Sequence, residues 1–585
     1  MRSGRYATAL SVTAGAVAIA VVALPAPAGS TTVRVLRVGT WNGISGSYRS
    51  IQAAVDAANP GDWVLVGPGD WKEVGDQTTH KPAAGEPGWG VTIATPGLHL
   101  RGMNRNTVVV DGTKAGTPQC SSRRADQNFG GSAGRSGIVI DKVDGTYVDN
   151  LTVCNFLGEG NQIWWNGGDG SGQVGMGTYW GNYLTATTTY YSASDPAATY
   201  GIFVSNARGP GSINYTYASN MNDSSYYIGA CPDCNAVLDH PWAEHSALGY
   251  SGTNSGGHLV IQYGEWDDNQ SGIVSNSQNN DDAPSPQDGS CPDGSGSCEI
   301  WRHNDVHDNN NPNVPQDTGA ASAGPVGTGM VIAGGRFDTV VDNNIHDNGA
   351  WGVLTVPYPD SEVPPDGIGQ NCNGGFGGTS ATPLVGTTGN VPCYYSDWGN
   401  EIAHNTFAHN GSFGNPTNGD IADLSQTPPE DPTAPANCWH DNTDTSGSVS
   451  QWPLTLQTTQ ATCGGNVYPD AASTAVLTVQ ALCDTDFLAQ ASPSAPSCTL
   501  SVVASYPKTT TVTVKPLPAG LQPMPDPCAG VPVNPWCPAP PVVHGSKTAR
   551  GSLASTGLDA RLPIGGLAVA LVGLGALALR RRDSA

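Results

Sequence analysis

The chain has 585 residues, of which 76 are glycine and 45 are proline, and this content of turn-forming residues excludes a compact helical protein. It carries 25 Lys and Arg against 49 Asp and Glu, and the formal net charge of −24 argues against nucleic acid and anionic membrane surfaces as partners. Fourteen cysteines, an even number, together with the export signals described below, predict disulfides rather than zinc sites.

The first 28 residues have the features of a secretory signal peptide. Basic residues precede an apolar run from Leu10 to Leu24, and Ala26-Pro27-Ala28 forms a small-x-small cleavage site. We therefore expect a secreted protein whose mature chain begins near Gly29.

A short amphipathic helix is predicted next. Ser50 can cap it, its apolar positions between Ile51 and Ala58 share one face, and Pro60 follows its end. A strand at residues 63–66 and two coil-like segments, at residues 97–113 and 137–156, come after it. Such a helix can cover the open end of a solenoid, which otherwise exposes its core and a strand edge.

Residues 157–200 are rich in aromatic and polar turn residues, and we expect a long inserted loop here. Aromatic side chains on such a loop can stack on sugar rings, although they more often pack the loop on its own domain. Trp164, Trp165 and Trp180 are the candidate substrate-binding residues of this segment.

A short sequence unit recurs from Ile213 to Gly411. It consists of a large apolar residue, a second one five positions on, and then an acid, Asn or His. The units start at Ile213, Val237, Ile261, Trp301, Val340 and Ile402. The first two intervals are 24 residues, and the later ones of 40, 39 and 62 indicate inserted loops. A unit this short must stack on its neighbours to bury its apolar face.

The residues within the unit distinguish between solenoid types. They are β-branched or aromatic and alternate with polar residues, whereas helical repeats need roughly 33 residues or more with Ala and Leu at helical spacing. The sequence therefore predicts an all-β fold, a right-handed parallel β-helix over residues 40–425. Asn at the +8 position of later units is expected to hydrogen-bond the next coil and to tolerate a left-handed backbone.

The repeat fades after Leu424. Residues 426–515 hold four cysteines and strand-like runs such as TAVLTVQAL, which predicts a C-terminal cap or small disulfide-containing module. Residues 516–552 are rich in proline and predict an extended, semi-rigid linker.

Residues 553–585 contain a second export signal. Leu553-Ala554-Ser555-Thr556-Gly557 precedes an apolar run at residues 562–579 and three arginines. This pattern resembles the LAxTG sorting signal of actinobacterial proteins, in which Leu553, Ala554, Thr556 and Gly557 would be recognised by a sortase. The resemblance implies cleavage after Thr556 and attachment to the cell wall. A plain membrane-spanning anchor is the alternative.

Five pairs of cysteines lie close together in the sequence and are expected to staple loops, although the pairing is not fixed by sequence. They are Cys231–Cys234, Cys291–Cys298, Cys372–Cys393, Cys483–Cys498 and Cys528–Cys537.

Alignment of the units also aligns their outward positions, on strands about 4.8 Å apart. Six side chains at +6 and +7 would form one polar strip, the predicted catalytic site: Asp267, Asp268, His307, Asp308, His346 and Asp347. Carboxylates this close must raise a pKa, pair with imidazolium or bind a cation. The alternative is a solvated turn, in which Asp and His are common.

The strip has the residue types that polysaccharide cleavage needs. A hydrolase needs one protonated and one ionised carboxyl group, and a lyase needs a cation such as Ca²⁺ and a base to remove the proton next to a uronate carboxylate. Asp281 and Asp282 begin an insertion that could close over the strip, and they are the candidate Ca²⁺ ligands. Arg302 is a candidate substrate-binding residue.

Residues 40–425 resemble the pectin-lyase-like superfamily, on the basis of the helix, strand and GPGDWKE opening at residues 51–73 and the coils that follow. The resemblance implies the β-helix fold and an extracellular polysaccharide as partner. No catalytic set of that superfamily transfers, because the QDTL, DFIFG, GRPW, GHG and RIK motifs of its enzymes are absent. The predicted function is a surface-anchored protein that engages and cleaves a polysaccharide. A non-catalytic surface adhesin or structural stalk is the alternative.

Overall fold

A computed structural model describes residues 32–74, 88–129, 135–169, 172–231, 233–277, 298–316, 324–360, 375, 393–484 and 506–539. The expected signal peptide (1–28), the candidate Ca²⁺ ligands Asp281 and Asp282, and the sorting motif with its apolar run (553–585) lie outside these residues. The chain divides into two compact units, Met1–Pro538 and Ala539–Ala585, and the fold described below belongs to the first. Among the described residues, none of the helices has the length and apolarity needed to cross a membrane.

The described chain is a parallel β-helix, which confirms the predicted fold class. After a first strand, Val35–Val38, each described coil contributes one strand to each of three parallel sheets, named sheet 1, sheet 2 and sheet 3 in the order in which the chain visits them. Strands of consecutive coils pair in register within each sheet. The inner faces of the three sheets enclose one apolar core that runs from Leu36 to Leu456.

Within the described residues, sheet 1 has twelve strands and sheets 2 and 3 have eleven each. The strands of sheet 1 are Val35–Val38, Trp63–Val66, His99–Gly102, Thr146–Asp149, Tyr179–Asn182, Gly211–Asn214, Ala236–Asp239, Leu259–Gln262, Glu299–Arg302, Thr339–Val341, Glu401–Ala403 and Cys438–His440. Those of sheet 2 are Gly69–Trp71, Val108–Asp111, Thr152–Cys154, Thr185–Thr187, Tyr217–Ser219, Trp242–Glu244, Glu265–Asp267, Asp305–His307, Asn344–His346, Thr406–Ala408 and Thr443–Asp444. Those of sheet 3 are Gly88–Ile93, Arg135–Asp141, Ile163–Asn166, Tyr200–Ser205, Ser224–Gly229, Leu248–Thr253, Ser271–Asn276, Thr328–Ala333, Trp351–Val356, Gly419–Asp423 and Gln451–Trp452.

A few short elements lie outside these sheets. Two antiparallel pairs are Thr40–Trp41 with Ile44–Ser45 and Tyr358–Asp360 with Cys393–Tyr395. The helices are Ile51–Asp56, the 3-10 helix Arg124–Asp126, Leu456–Thr459 and Ala471–Asp484.

Helices cover the ends of the solenoid core. The helix Ile51–Asp56 begins after Ser50, whose hydroxyl accepts a hydrogen bond from the Ala53 amide, as predicted from the sequence. Its apolar face joins the core. After the last coil, the helix Leu456–Thr459 buries Leu456 in the same core. Both ends of the apolar core are thereby shielded from water.

One repeat has a different register from the predicted one. Sheet 1 pairs Leu238 with both Ile213 and Ile261, so this unit starts at Leu238 rather than at Val237. Since side chains alternate between the two faces of a strand, a shift of one residue exchanges inward and outward positions. The outward column therefore contains Glu244 at the position expected to hold alanine.

The segment 157–200, expected to be a loop, contributes strands to all three sheets. Ile163–Asn166, Tyr179–Asn182 and Thr185–Thr187 pair in register with the coils on either side. Trp165 is fully buried in the core, so its ring is not available to stack on a sugar. The aromatic residues that suggested a loop are core and surface residues of an ordinary coil.

The solenoid continues beyond residue 425. Cys438–His440, Thr443–Asp444 and Gln451–Trp452 complete one more coil. The TAVLTVQAL run, interpreted as strand-like, lies within the helix Ala471–Asp484. This helix is held by packing of Leu477 against the last coils, a tertiary contact that outweighs the β-propensity of its valines and threonines.

The proline-rich C-terminal segment is docked on the solenoid rather than extended from it. Residues 506–538, which we call the strap, run from Trp351 and Phe413 back towards the N-terminal coils. The Met524 amide donates to Asn150 Oδ1 at 3.0 Å, and Trp536 Nε1 donates to the Ile44 carbonyl at 2.9 Å.

The strap docks on the solenoid although it is rich in proline, because its backbone carbonyl groups accept hydrogen bonds from side chains of the coils. Proline lacks an amide donor but keeps its acceptor. Arg101 donates to the Ala529 carbonyl at 2.6 Å, and Asn106 donates to the Leu521 carbonyl at 2.6 Å. Residues 516–552 were predicted to be an extended, semi-rigid linker, and the described residues 516–538 lie against the solenoid, since composition does not reveal donors on distant coils.

The asparagine ladder predicted at the +8 position is present. Asn269 donates to Asn309 at 3.0 Å, Asn309 to Asn348 at 3.2 Å and Asn348 to Asn410 at 3.1 Å. The left-handed backbone lies one residue earlier than predicted, for example at Asp268 with φ 53°. A second row of such bonds joins Asn304, Asn343, Asn405 and Asn442.

Four disulfides lie wholly within the described residues, and two of them were predicted. They are Cys231–Cys234 and Cys528–Cys537, as predicted, and Cys120–Cys154 and Cys438–Cys463, whose members are 34 and 25 residues apart in sequence. Cys298, Cys393 and Cys483 are also disulfide-bonded, and their predicted partners Cys291, Cys372 and Cys498 lie outside the described residues.

Replacing a ladder residue should destabilise the solenoid. The Asn309 side chain donates to the Trp266 carbonyl at 3.0 Å and shares ladder bonds with Asn269 and Asn348, so Asn309→Ala removes three buried hydrogen bonds. We expect a loss of about 2 kcal/mol or more in the free energy of unfolding, measured by urea denaturation. The control Asn59→Ala, at an exposed position, should change it by less than about 0.5 kcal/mol. Equal effects of the two substitutions would contradict a structural role for the ladder.

A buried carboxyl pair should make stability depend on pH. Burial, and then the nearby charge of Asp423, raise the pKa of Asp397 to about 8. Because this value exceeds the unfolded value of about 4, the folded state binds the proton more tightly. The resulting stability is fully present below about pH 4 and is lost as the pH rises through about 8.

We therefore expect the free energy of unfolding to fall as the pH rises from 4 to 8. In Asp397→Asn this fall should be smaller by at least roughly 1 kcal/mol. Asp342→Asn, at an exposed position, serves as the control and should keep the wild-type slope. Denaturation series at several pH values measure both, and an unchanged slope in Asp397→Asn would refute the assignment.

Candidate functional site

The polar strip predicted from the repeats lies on the outer face of sheet 2. Strand pairing aligns Glu244, Asp267, His307 and His346 on four successive coils. Three of these four residues were predicted, and Glu244 enters the column because of the register described above.

The other three predicted residues form a second row beside the column. Asp268, Asp308 and Asp347 lie in the turns that leave sheet 2, with φ of 53°, 51° and 55°. Aspartate tolerates this left-handed conformation better than most residues. The structure thus brings all six predicted catalytic residues together. Three lie in the strand column and three in the turn row.

Asp267 is half-buried in the column. The Trp242 indole donates to Asp267 Oδ1 at 2.8 Å. Burial raises the pKa of Asp267 to about 6, and the nearby charge of Glu244 adds to this rise, against the opposing effect of the Trp242 hydrogen bond. A carboxyl group of this kind keeps a share of its proton close to neutral pH.

The neighbouring Asp268 has the opposite environment. Its carboxylate lies 2.9 Å from His245 Nδ1 and 3.1 Å from Lys515 Nζ, and it accepts a hydrogen bond from Asn311 at 2.9 Å. Burial alone would raise the pKa of Asp268, but the His245 hydrogen bond and the Lys515 charge outweigh it, so the pKa lies below its ordinary value. Two adjacent carboxyl groups therefore differ in their affinity for a proton.

The strap covers the Glu244 end of the strip. Lys515 forms ion pairs with Glu244 and with Asp268, and Tyr217 donates its hydroxyl hydrogen to Glu244 at 2.5 Å. A residue of the strap is thereby part of the site.

The opposite end of the strip is open to solvent. The rings of His307 and His346 stack in parallel, with centroids 4.8 Å apart and planes 6° apart. Nδ1 of His307 lies 3.0 Å from Asp308, and Nδ1 of His346 lies 2.7 Å from Asp347. Nε2 of His346 lies 3.1 Å from Asp305 Oδ1. Each imidazole is therefore oriented by a carboxylate of the residue that follows it.

Burial alone would lower the pKa of His307, but its hydrogen bond to Asp308 and the charges of Asp267 and Asp305 outweigh burial and raise it above its ordinary value. With a carboxylate on each side, this imidazole is a strong candidate for holding a proton or a cation.

The candidate substrate-binding residues do not join the strip. Trp164 lies on sheet 3, where its ring stacks on Phe203 at 5.4 Å. Trp180 lies on sheet 1, where its ring stacks on Tyr147 at 4.3 Å. Arg302 is exposed on sheet 1. Together with the buried Trp165, these residues occupy other parts of the solenoid, so the strip lacks the sugar-stacking aromatic residues expected from the sequence.

Sequence reasoning missed Glu244, His245, Trp242 and Lys515. A correct register for the second unit would have indicated the first three. Lys515 has no sequence signal, because it lies 271 residues from Glu244 and reaches the strip only through docking of the strap.

Known proteins show only weak similarity to this chain. The chain matches none of the protein families searched and none of the curated proteins. Among solved structures, it is similar to the A-module of the Azotobacter vinelandii mannuronan C-5 epimerase AlgE4, with 15% identity and a TM-score of 0.39 over 68% of this chain and 91% of that one. The AlgE6 A-module of the same organism gives 15% identity and a TM-score of 0.41, over 68% and 90% of the two chains.

A pectin methylesterase in complex with a hexasaccharide gives 12% identity and a TM-score of 0.25, over 74% of this chain and 98% of that one. Scores and identities this low do not support a conclusion about activity. The β-helix is established by the three sheets themselves.

Reversing the charge of the strap residue in the site should loosen the strap. Lys515→Glu replaces two ion pairs by repulsion from Glu244 and Asp268. We expect several-fold faster proteolysis and amide hydrogen exchange within residues 506–538, read by mass spectrometry. Lys508→Glu, at an exposed position of the same strap, is the matched control. Equal protection in both variants would show that Lys515 does not hold the strap.

Proposed function

We propose that the protein is an extracellular polysaccharide-binding β-helix protein that hydrolyses its glycan at the strip of sheet 2. The observation that carries this proposal is that Asp267 and Asp268, consecutive residues at the edge of sheet 2, each have their own hydrogen-bond donors. A glycoside hydrolase needs two carboxyl groups, one that delivers a proton and one that remains ionised. Among the described acids, these two adjacent residues match that requirement.

The roles follow from the contacts of each carboxyl group. Asp267 is half-buried, and Trp242 binds only its Oδ1, so Oδ2 can carry a proton for the oxygen of the leaving sugar. Asp268 is held as a carboxylate by His245, Asn311 and Lys515, and it can take a proton from water. The different environments of the two residues supply the protonated and the ionised carboxyl group that hydrolysis needs.

The termini expected from the sequence support an extracellular location for this activity. A signal peptide at residues 1–28 and a sorting motif at Leu553 to Gly557 would export the chain, and a sortase would attach it to the cell wall.

A non-catalytic surface stalk is a second candidate, and one observation favours it. Lys515 of the strap already occupies Asp268 and Glu244, so part of the strip is closed in the described state. A protein that only binds a glycan would use the open half of the strip and would show no turnover.

The test is a release assay with the mature full-length protein on a panel of plant, algal and bacterial polysaccharides. We expect new reducing ends without unsaturated products on at least one glycan. Asp267→Asn and Asp268→Asn should each lower the rate by about 100-fold or more, since general acid and base groups contribute on the order of 10²–10⁴-fold. Retention on the same glycan should persist, because these roles concern the reaction rather than binding.

Asp342→Asn is the matched control, because Asp342 is an exposed aspartate with φ 56°, close to the 53° of Asp268. It should leave the rate unchanged. Unsaturated products would indicate a lyase instead, and retention without release across the panel would favour the stalk. Full activity in both site variants would exclude the strip.

A further inference from the structure

We propose that Asp305, His307 and His346 form a binding site for a transition-metal ion, with Zn²⁺ as the fitting example. Each residue offers one ligand atom, and these three atoms lie within 4.8 Å of one another. The site belongs to the open half of the strip, and its existence does not depend on the hydrolase activity proposed above.

The orientation of the two imidazoles points to an ion. Metal-binding histidines donate their second ring N–H to a carboxylate or carbonyl, which fixes the tautomer and leaves the other nitrogen for the metal. Asp308 and Asp347 take this role at Nδ1 of His307 and His346. The two rings are parallel with centroids 4.8 Å apart, and Nε2 of His346 already lies 3.1 Å from Asp305 Oδ1.

The distances require only a small adjustment. Ligand atoms on a tetrahedral Zn²⁺ lie about 3.3 Å apart, because Zn–N and Zn–O bonds are about 2.0–2.2 Å long. The three ligand atoms here lie within 4.8 Å of one another, so the pairs have to close by about 1.5 Å at most. Rotation of half-exposed side chains about their rotatable bonds can supply this movement.

The donor set selects the class of ion. Imidazole nitrogen suits Zn²⁺, Cu²⁺ and Ni²⁺, whereas Ca²⁺ takes six to eight oxygen ligands. Two imidazoles and one carboxylate therefore disfavour Ca²⁺ at this position, although Ca²⁺ was the candidate cofactor from the sequence. His307 and His346 expose 19% and 24% of their side chains, which leaves room for a further ligand from solvent or substrate.

Other groups of this kind among the described residues fit an ion less well. Cys438 and Cys463, near His440, form a disulfide and offer no thiolate. At His404 and His440 the two rings are perpendicular, with centroids 5.7 Å apart and planes 87° apart, and His404 and Asp441 are exposed. These groups serve as internal comparisons.

The experiment titrates Zn²⁺ alone into the metal-free mature chain, without an affinity tag that contains histidine, by isothermal calorimetry. We expect one equivalent bound, and a loss of at least 100-fold in affinity in His307→Gln and in His346→Gln. Asp347→Asn, which contacts the imidazole rather than the ion, should lower affinity by about 10–100-fold. His258→Asn, an exposed histidine that lies 3.3 Å from Asp233, is the matched control and should bind as the wild type does.

A second measurement covers variants that fold poorly. Zn²⁺ should raise the Tm of the wild type and of His258→Asn, and Co²⁺ in its place should give the visible absorption of a tetrahedral or five-coordinate site. Wild-type protein without a Zn²⁺-dependent Tm shift, or an equivalent of Zn²⁺ retained in His307→Gln but lost in His404→Gln, would overturn the proposal. Because no readout uses a glycan, failure here is distinguishable from failure of the hydrolase proposal.

Discussion

Parallel pairing between strands of successive coils determines which side chains meet on this protein. The spacing of about 4.8 Å between paired strands is close to the contact distance of two side chains, so equivalent positions in the repeat become continuous columns. Inside, the columns are apolar and form one core. In the turns they are asparagine ladders that satisfy buried carbonyl groups. On sheet 2 the same pairing produces a column of Glu244, Asp267, His307 and His346.

A column of ionisable groups is electrostatically costly, and the protein offsets this cost differently along its length. At Glu244 the strap supplies a cation, Lys515. At Asp267 the carboxyl group binds its proton more tightly than an ordinary aspartate does, as its raised pKa indicates. At His307 and His346 imidazoles alternate with aspartates, an arrangement suited to a proton or a metal ion. The different parts of the strip therefore have different charge environments.

The strap links this surface to the architecture of the whole chain. Its contacts extend from Trp351 near the C-terminal coils to Ile44 near the first coil, so its two ends lie far apart along the solenoid. Release of Lys515 would uncover Glu244 and Asp268 without disturbing the sheets, because the strap contributes no strand to them. Access to one half of the strip is thus separable from the stability of the scaffold.

The sequence by itself determined the β-helix, the asparagine ladder and the six strip residues, because each depends on a short unit that repeats along the chain. It also determined the capping helix at residues 51–56, because the cap and the apolar face of that helix are local signals. Only the tertiary structure decided the register at Leu238, where a slip of one residue is invisible in a degenerate repeat but exchanges the two faces of a strand. It also decided the positions of Trp164, Trp180 and Arg302 on other sheets, since composition does not assign a residue to a face. The docking of Lys515 depends on contacts between residues hundreds of positions apart, and local patterns carry no information about such contacts.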